Sequence, residues 1–534
     1  MKSTALLASG VMKSILVVLI VVAANTPFVQ GIPFLAQKMS ATSGVCPFHP
    51  VTFEPLPSPI PTNISDALQN VEKIVSNIIN PNTAPGAVFG IHYADTFKYV
   101  KGFGTKDKNS PNVMPDGDTI FRIASVSKIF AVIALFQLYD QGHIKSLDDP
   151  LSHYCLLFSI RDPFNTGDVV TLRQLASQLS GLPREAPCYG TATTNNSCPL
   201  DTTTILQRLS SQNKVLPSWT LPSYSNLAYA LLGRCIAQRT HPTMSYEKYV
   251  EKQILQPLEL TNTGFDYTGD VMYKMATGYG SDGHKVPIFD LGWEAPAGQM
   301  YSTINDLLKL STYFNSAYGS SKPTTDILPA SLIKEMGLPV FLNYDGKTLF
   351  GTPWEMNFID TYLVRGKGGN LPGYSSMFGY IPDLGLGMSV LVSGSVNLES
   401  TMIAAYNAVI PVFHNFMVSN AVRKIPYPPT PTTYTGNFSC PFAAIFVNIY
   451  TISKTLYADI SFGTGSTKLF YKASLKYYSE LELQVHFVTS QMDCLFGEAL
   501  ALNNAWLYFD QPSSSKISPG FYFPILQCKM TRNP

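Results

Sequence analysis

FRIASVSKIFAVIALFQLYDQ, residues 121–141, passes from a strand-like run through Ser125-Val126-Ser127-Lys128 into Ile129–Phe136, which is apolar at every position. A helix apolar all round is buried on all sides rather than laid on a surface, and Gly142 stands where a helix C-terminus is commonly capped. Lys128 is the anomaly, because an ammonium on such a helix is costly unless it is neutral or partnered. Burial lowers a lysine pKa, and an uncharged amine three residues from a serine, on the same helical face, can take the hydroxyl proton. Ser125 also lies where the free N–H groups of a helix start favour developing negative charge. The SxxK spacing alone discriminates poorly, for it recurs at Ser211/Lys214, Ser331/Lys334 and Ser513/Lys516. Only at Ser125 does it join a strand to a buried helix. The plain alternative is a helix start with a snorkelling lysine.

Two further clusters lie downstream. Tyr224-Ser225-Asn226 follows Pro222-Ser223 and opens a fresh apolar helix, so the phenol and the amide can project from a loop. A tyrosine there can relay a proton to a leaving group, and an asparagine can hold the lysine and the substrate. A second YxN, Tyr313-Phe314-Asn315, sits inside a helix-like segment. Lys367-Gly368-Gly369-Asn370 precedes a strand; its glycines admit close backbone approach to a ligand, and its lysine would face a developing oxyanion or a substrate carboxylate. It would also help depress Lys128, since two nearby ammonium groups disfavour each other.

SxxK, YxN and K-x-G, in that order and each at an element boundary, resemble the serine β-lactamase, penicillin-binding-protein and related esterase superfamily. The resemblance is nearest to class C β-lactamase-related proteins of secreted eukaryotic form. Phe121-Arg122-Ile123-Ala124, LASQLSGLP (175–183) and AGQMYST (297–303) also look like that family. It implies an α+β fold, a β-lactamase/transpeptidase-like domain with an antiparallel sheet flanked by helices. It also implies an acyl-enzyme serine hydrolase acting on a small amide or ester, or on a peptide. Ser125 would attack, Lys128 accept the proton, Tyr224 assist the leaving group, Asn226 orient the site and Lys367 supply charge. The oxyanion would lie between the N–H of Ser125 and one near Asn370, on the strand of Gly368 and Gly369. Two departures stand out: Lys367-Gly368-Gly369 replaces the His-x-Gly of many esterase-like relatives, and Gln178 stands where relatives often carry histidine. The permanent cation would favour substrates bearing a carboxylate. A secreted binding or scaffold protein that keeps this fold without turnover is the competing reading.

Around this core the pattern sets an organisation. The apolar run Ile15–Ala24 is shorter than the ~20 residues that span a bilayer and reads as a signal peptide over 1–31, or as an uncleaved anchor. No second apolar run is read as membrane-spanning. Residues 32–64 are proline-rich, and Ser65 is read as the cap of an amphipathic helix. The hydrolase domain is read over 65–425, with a hairpin turning near Ala94-Asp95, strands near 374–394 and a helix over about 398–420. Pro426–Thr433 reads as a linker. Beyond it, alternation as in ELELQVHFV (480–488) predicts a small all-β sandwich or barrel over 434–534.

Composition excludes other classes. With 45% apolar and 14% charged residues and a net charge of +1, the chain is no disordered segment and lacks the basic excess that nucleic acid demands. The eight cysteines form no CxxC, and the eight histidines are scattered without a GxSxG elbow. No metal or other cofactor is implied. Cys188 and Cys198 are the expected disulfide, Cys440, Cys494 and Cys528 could supply another, and Cys235 reads as a buried thiol. Sequons at Asn63, Asn195 and Asn437 fit a secreted glycoprotein. Self-association through the C-terminal module is a further expectation.

Overall fold

The computed structural model describes residues 53–193, 195–237, 244–319, 327–423, 427–463, 469–487, 504–512, 514 and 516–534. The expected signal peptide, Cys46 and Cys494 lie outside the described residues. The chain divides into two compact units, His49–Val418 and one containing Ser419–Pro534.

In the first unit, helix α1 (Thr62–Ser76) buries Ile64, Leu68, Val71 and Val75. It starts earlier than Ser65, because the Pro61 carbonyl accepts the N–H groups of both Ile64 and Ser65 at 3.0 Å. Strands β1 (Gly86–Tyr93) and β2 (Phe97–Gly104) form the hairpin, and β1 is buried along its whole length. A two-residue strand β3 (Phe121–Arg122) leads into helix α2 (Lys128–Asp140), after which Gly142 takes a left-handed φ of 75°. Helix α3 (Asn226–Leu231) follows, then β4 (Tyr301–Ser302), paired with β3, and α4 (Ile304–Ser316), which contains the second YxN. Strands β5 (Pro339–Leu342), β6 (Thr348–Gly351), β7 (Glu355–Ile359), β8 (Tyr362–Leu371), β9 (Tyr374–Ile381) and β10 (Leu386–Val392) complete an antiparallel sheet ordered β2-β1-β10-β9-β8-β7-β6-β5.

Helix α5 (Glu399–Arg423) closes the unit. Over Glu399–Asn420 it is long and apolar enough to cross a membrane, contrary to the expectation from sequence. Its Met402, Tyr406, Val409, Ile410 and Phe413 are buried, with Phe413 5.2 Å from the ring of Tyr93 on β1. Tyr362 and His414 Nδ1 are 2.6 Å apart.

The second unit is a closed eight-stranded antiparallel barrel, β11 to β18 in sequence order, with β11 (Gly436–Ser439) paired to β18 (Cys528–Arg532). Alternate residues point inward, and Phe438, Ile449, Leu475, Leu483, Val485, Phe521 and Met530 fill the lumen, as befits a barrel of this strand number. Disulfides join Cys188–Cys198, Cys440–Cys528 and Cys155–Cys235. The last corrects the reading of Cys235 as a thiol: it is buried, but so is Cys155, brought to a Cα separation of 5.1 Å from 80 residues away. Asn63, Asn195 and Asn437 are all exposed.

Candidate active site

Ser125 stands on a short 3₁₀ turn, Ala124–Ser127, that feeds α2. Ala124 is held at φ 47°, a left-handed conformation costly for a residue with a Cβ. The surroundings impose it. Ile123 N donates to Met300 O at 2.9 Å, Met300 N donates to Ser127 Oγ at 3.1 Å, and Ser376 Oγ of β9 donates to Ile123 O at 2.7 Å. The result is a half-buried hydroxyl above a fully buried lysine.

Lys128 Nζ, 0% exposed, lies 3.0 Å from Ser125 Oγ, 2.7 Å from Asn226 Oδ1 and 2.7 Å from Ala297 O. Burial, joined by the charge of Lys367, holds its pKa below the ordinary lysine range against the opposing pull of Tyr224. Tyr224 Oη donates to Ser125 Oγ at 2.6 Å. Burial resists ionisation of that phenol, but the cations Lys367 and Lys128 and the hydrogen bond to Ser125 outweigh it and bring its pKa to about 8.

The segment bearing Tyr224 is pinned on both sides. Ser225 caps α3 by accepting from Ala228 N at 3.0 Å, and Asn226 Nδ2 donates to Glu185 Oε2 at 2.8 Å. Gln178, itself at φ 64°, accepts Ser225 N on Oε1 at 2.7 Å and Ser223 N on its carbonyl at 2.8 Å. The residue left without a role by sequence therefore positions the YxN loop. Beyond Glu185 lies Glu294, whose carboxyl burial raises to about 7 against the hydrogen bond it accepts from Ala186 N.

Strand β8 forms the opposite wall. Its pairing with β7 ends at Glu355↔Gly366, so Lys367–Leu371 keeps one free edge. Gly366 faces β7, and by the alternation of an antiparallel strand the N–H groups of Gly368 and Asn370 point the same way, into the cleft. Gly369 lies under the Ala124–Ser127 turn: a Cβ there would stand 2.4 Å from Ile123 O, 2.6 Å from Ser376 Oγ and 2.8 Å from Ser125 N. Lys367 Nζ sits 5.2 Å from the centre of the Tyr224 ring.

The cation of Lys367 is not free. Glu355 Oε1 lies 2.5 Å from Lys367 Nζ, and although burial opposes the charge, that carboxylate keeps the lysine pKa raised. The sequence reading set this charge against a developing oxyanion or a substrate carboxylate; in the structure it already has a carboxylate partner of its own. The structure thus brings Ser125, Tyr224, Lys367 and the Gly368–Asn370 edge onto one cleft of ≈ 540 Å³, with Lys128 buried behind Ser125 and bonded to Asn226. Sequence reasoning missed Glu355, Glu185 and Glu294; the only available signal was the general need of a buried lysine for a counter-charge. A larger recess of ≈ 760 Å³, lined by Arg234, Glu247, Lys248 and Glu251, has its cations already paired, Arg234 with Glu247 and Lys248 with Glu251, each at 2.7 Å.

A family model described as Beta-lactamase matches residues 71–410. A human protein named beta-lactamase-like 1 is 31% identical over 516 residues, spanning 90% of this chain and 97% of its own. Beta-lactamase-like protein 2 of Dictyostelium discoideum is 33% identical over 434 residues, 77% of this chain and 76% of its own. Among solved structures, the octameric penicillin-binding protein homologue from Pyrococcus abyssi superposes with a TM-score of 0.54 at 19% identity, covering 87% of this chain and 100% of that one. A class C beta lactamase from Rhodobacter sphaeroides gives 0.52 at 20% identity, covering 66% and 100%. At such identities these structures speak for the fold alone.

Proposed function

Because the chain belongs to the β-lactamase family, we propose that it is a serine hydrolase that cleaves an amide or ester through an acyl-enzyme on Ser125. Ser125 Oγ bonds to the carbonyl carbon while its proton passes to Lys128 Nζ, uncharged before the step. The oxyanion lies between the N–H groups of Ser125 and Asn370. Collapse breaks the bond to the leaving group, which takes a proton from Tyr224 Oη, and Lys128 returns its proton to the phenol. Water then attacks the ester by the same relay in reverse and frees the acid.

The observation that carries this reading is the nucleophile's environment. One hydroxyl has a desolvated lysine at 3.0 Å and an acidified phenol at 2.6 Å. Two groups with shifted pKa values converging on one hydroxyl at the wall of a cleft are the arrangement that proton transfer to and from it requires. The test is labelling of the purified protein with a fluorophosphonate probe. Wild type should become covalently modified and Ser125→Ala should not; a wild-type protein inert from pH 6 to 9 sinks the assignment. We place the chain in the secretory pathway, a reading supported by three disulfides among the described residues and by the exposure of Asn63, Asn195 and Asn437.

A further inference from the structure

We propose that the cleft accepts a substrate with a long, unbranched apolar acyl chain, which runs from Ser125 around the free edge of β8 onto the opposite face of the sheet, beneath helix α5. The proposal deepens the hydrolase reading above and rests on it.

A single cavity carries both ends. Ser125, Tyr224 and Arg184 line one, and Ile359, Met377, Met402 and Ile403 line the other. Strand alternation puts these ends on different faces. Lys367 and Gly369 share the Ser125 face. Gly366 and Gly368 share the other with their cross-strand partners Gly379 and Met377, and a Cβ on Gly379 would collide with Tyr406 of α5. The glycines leave bare backbone as a floor. A Cβ at Gly368 would touch nothing nearer than the Met377 side chain, at 3.6 Å, so the space beside it stays open. The passage between faces exists because β7 stops at Glu355 and leaves β8 without a neighbour there.

The chemistry of the far arm selects its occupant. Val364–Gly366 are paired with β7 on one side, and Arg365 and Gly366 with β9 on the other. The floor there has no backbone donors or acceptors to offer, so the amides of a peptide laid on it would depend on the side chains of Thr348, Asn357 and Glu399, which also line the cavity. An alkyl chain has no such needs. Two methionines and two isoleucines suit it, methionine being the side chain that adapts most readily to a flexible partner. Lys367, neutralised by Glu355 at 2.5 Å, presents little net charge along the way.

The test is a series of p-nitrophenyl esters from acetyl to dodecanoyl, run with fluorophosphonate labelling of Ser125. For wild type, kcat/KM should climb by up to about fourfold per added methylene until the groove is full. Ile403→Trp, a change at an exposed site, should flatten the climb. A flat wild-type series, with the acetyl ester turned over and Ser125 labelled, overturns the groove and leaves the hydrolase standing. If no ester is cleaved, binding of dansyl-undecanoate to Ser125→Ala decides. Binding that Ile403→Trp weakens at least tenfold supports the groove while the hydrolase reading falls; absence of binding overturns the groove as well.

Discussion

Lys128 makes its hydrogen bonds to neutral groups, the Ser125 hydroxyl, the Asn226 amide and the Ala297 carbonyl, and its pKa is lowered first by burial and then by Lys367. The lowered pKa means the free amine appears at lower pH than in an ordinary lysine. Below it the lone pair is gone, so kcat/KM should fall as pH drops and form an acidic limb. Lys367→Met removes a cation that depresses both Lys128 and Tyr224 and leaves Glu355 unpaired, which raises both pKa values further. The acidic limb should therefore move to higher pH; an unmoved limb in a pH–rate profile would show that Lys367 does not tune the site. Lys128, Tyr224 and Lys367 were legible in the sequence because their chemistry is unusual for where they stand. Glu355 was not, since it reaches Lys367 only through the register of β7 on β8, and register is not written locally.

At the scale of elements, the glycines after Lys367 read as places where a ligand meets backbone, and for Gly369 the structure gives another reason. The close neighbours are Ile123 O, 2.4 Å from where a Cβ would be, and Ser125 N, at 2.8 Å, at the head of the Ala124–Ser127 turn. Gly369→Ala must displace Ile123 O and Ser125 N, and with them the turn that holds Ser125 against Tyr224 and Lys128. We expect a loss of about 10² or more in kcat with a melting temperature within a few degrees of wild type; an unchanged kcat would show that the turn yields. Local punctuation explains which elements were readable. The hairpin at 86–104, the cap at Gly142 and the Pro382–Gly385 turn between β9 and β10 are each written in a few residues. The start of α1 was not, because a backbone carbonyl, Pro61 O, receives its first N–H groups, and carbonyls carry no sequence signature.

Across the whole molecule, the cores of the two units are separate, one built around α2 and the sheet, the other inside the barrel. Alternation marked about half of the barrel strands, but which strands meet was beyond it: β1 lies between its hairpin partner β2 and β10, a strand almost 300 residues later. The same long reach hid the Cys155–Cys235 bond. It closes a loop of 80 residues, and cross-linking a loop of that length restricts the unfolded chain by about 4 kcal/mol. Cys155→Ala/Cys235→Ala should lower stability by roughly that amount, read as a drop in denaturant midpoint; no change would mean that the loop is already constrained when unfolded. The unpaired margin of β8 has a last consequence. A bare strand border invites other chains to add on, and in open sheets it seeds clumping. Here the border is five residues long and partly stoppered where Glu355 Oε2 meets Gly368 N at 3.4 Å. A hazard elsewhere is thereby kept as a docking berth, idle until a visitor slim enough to enter arrives.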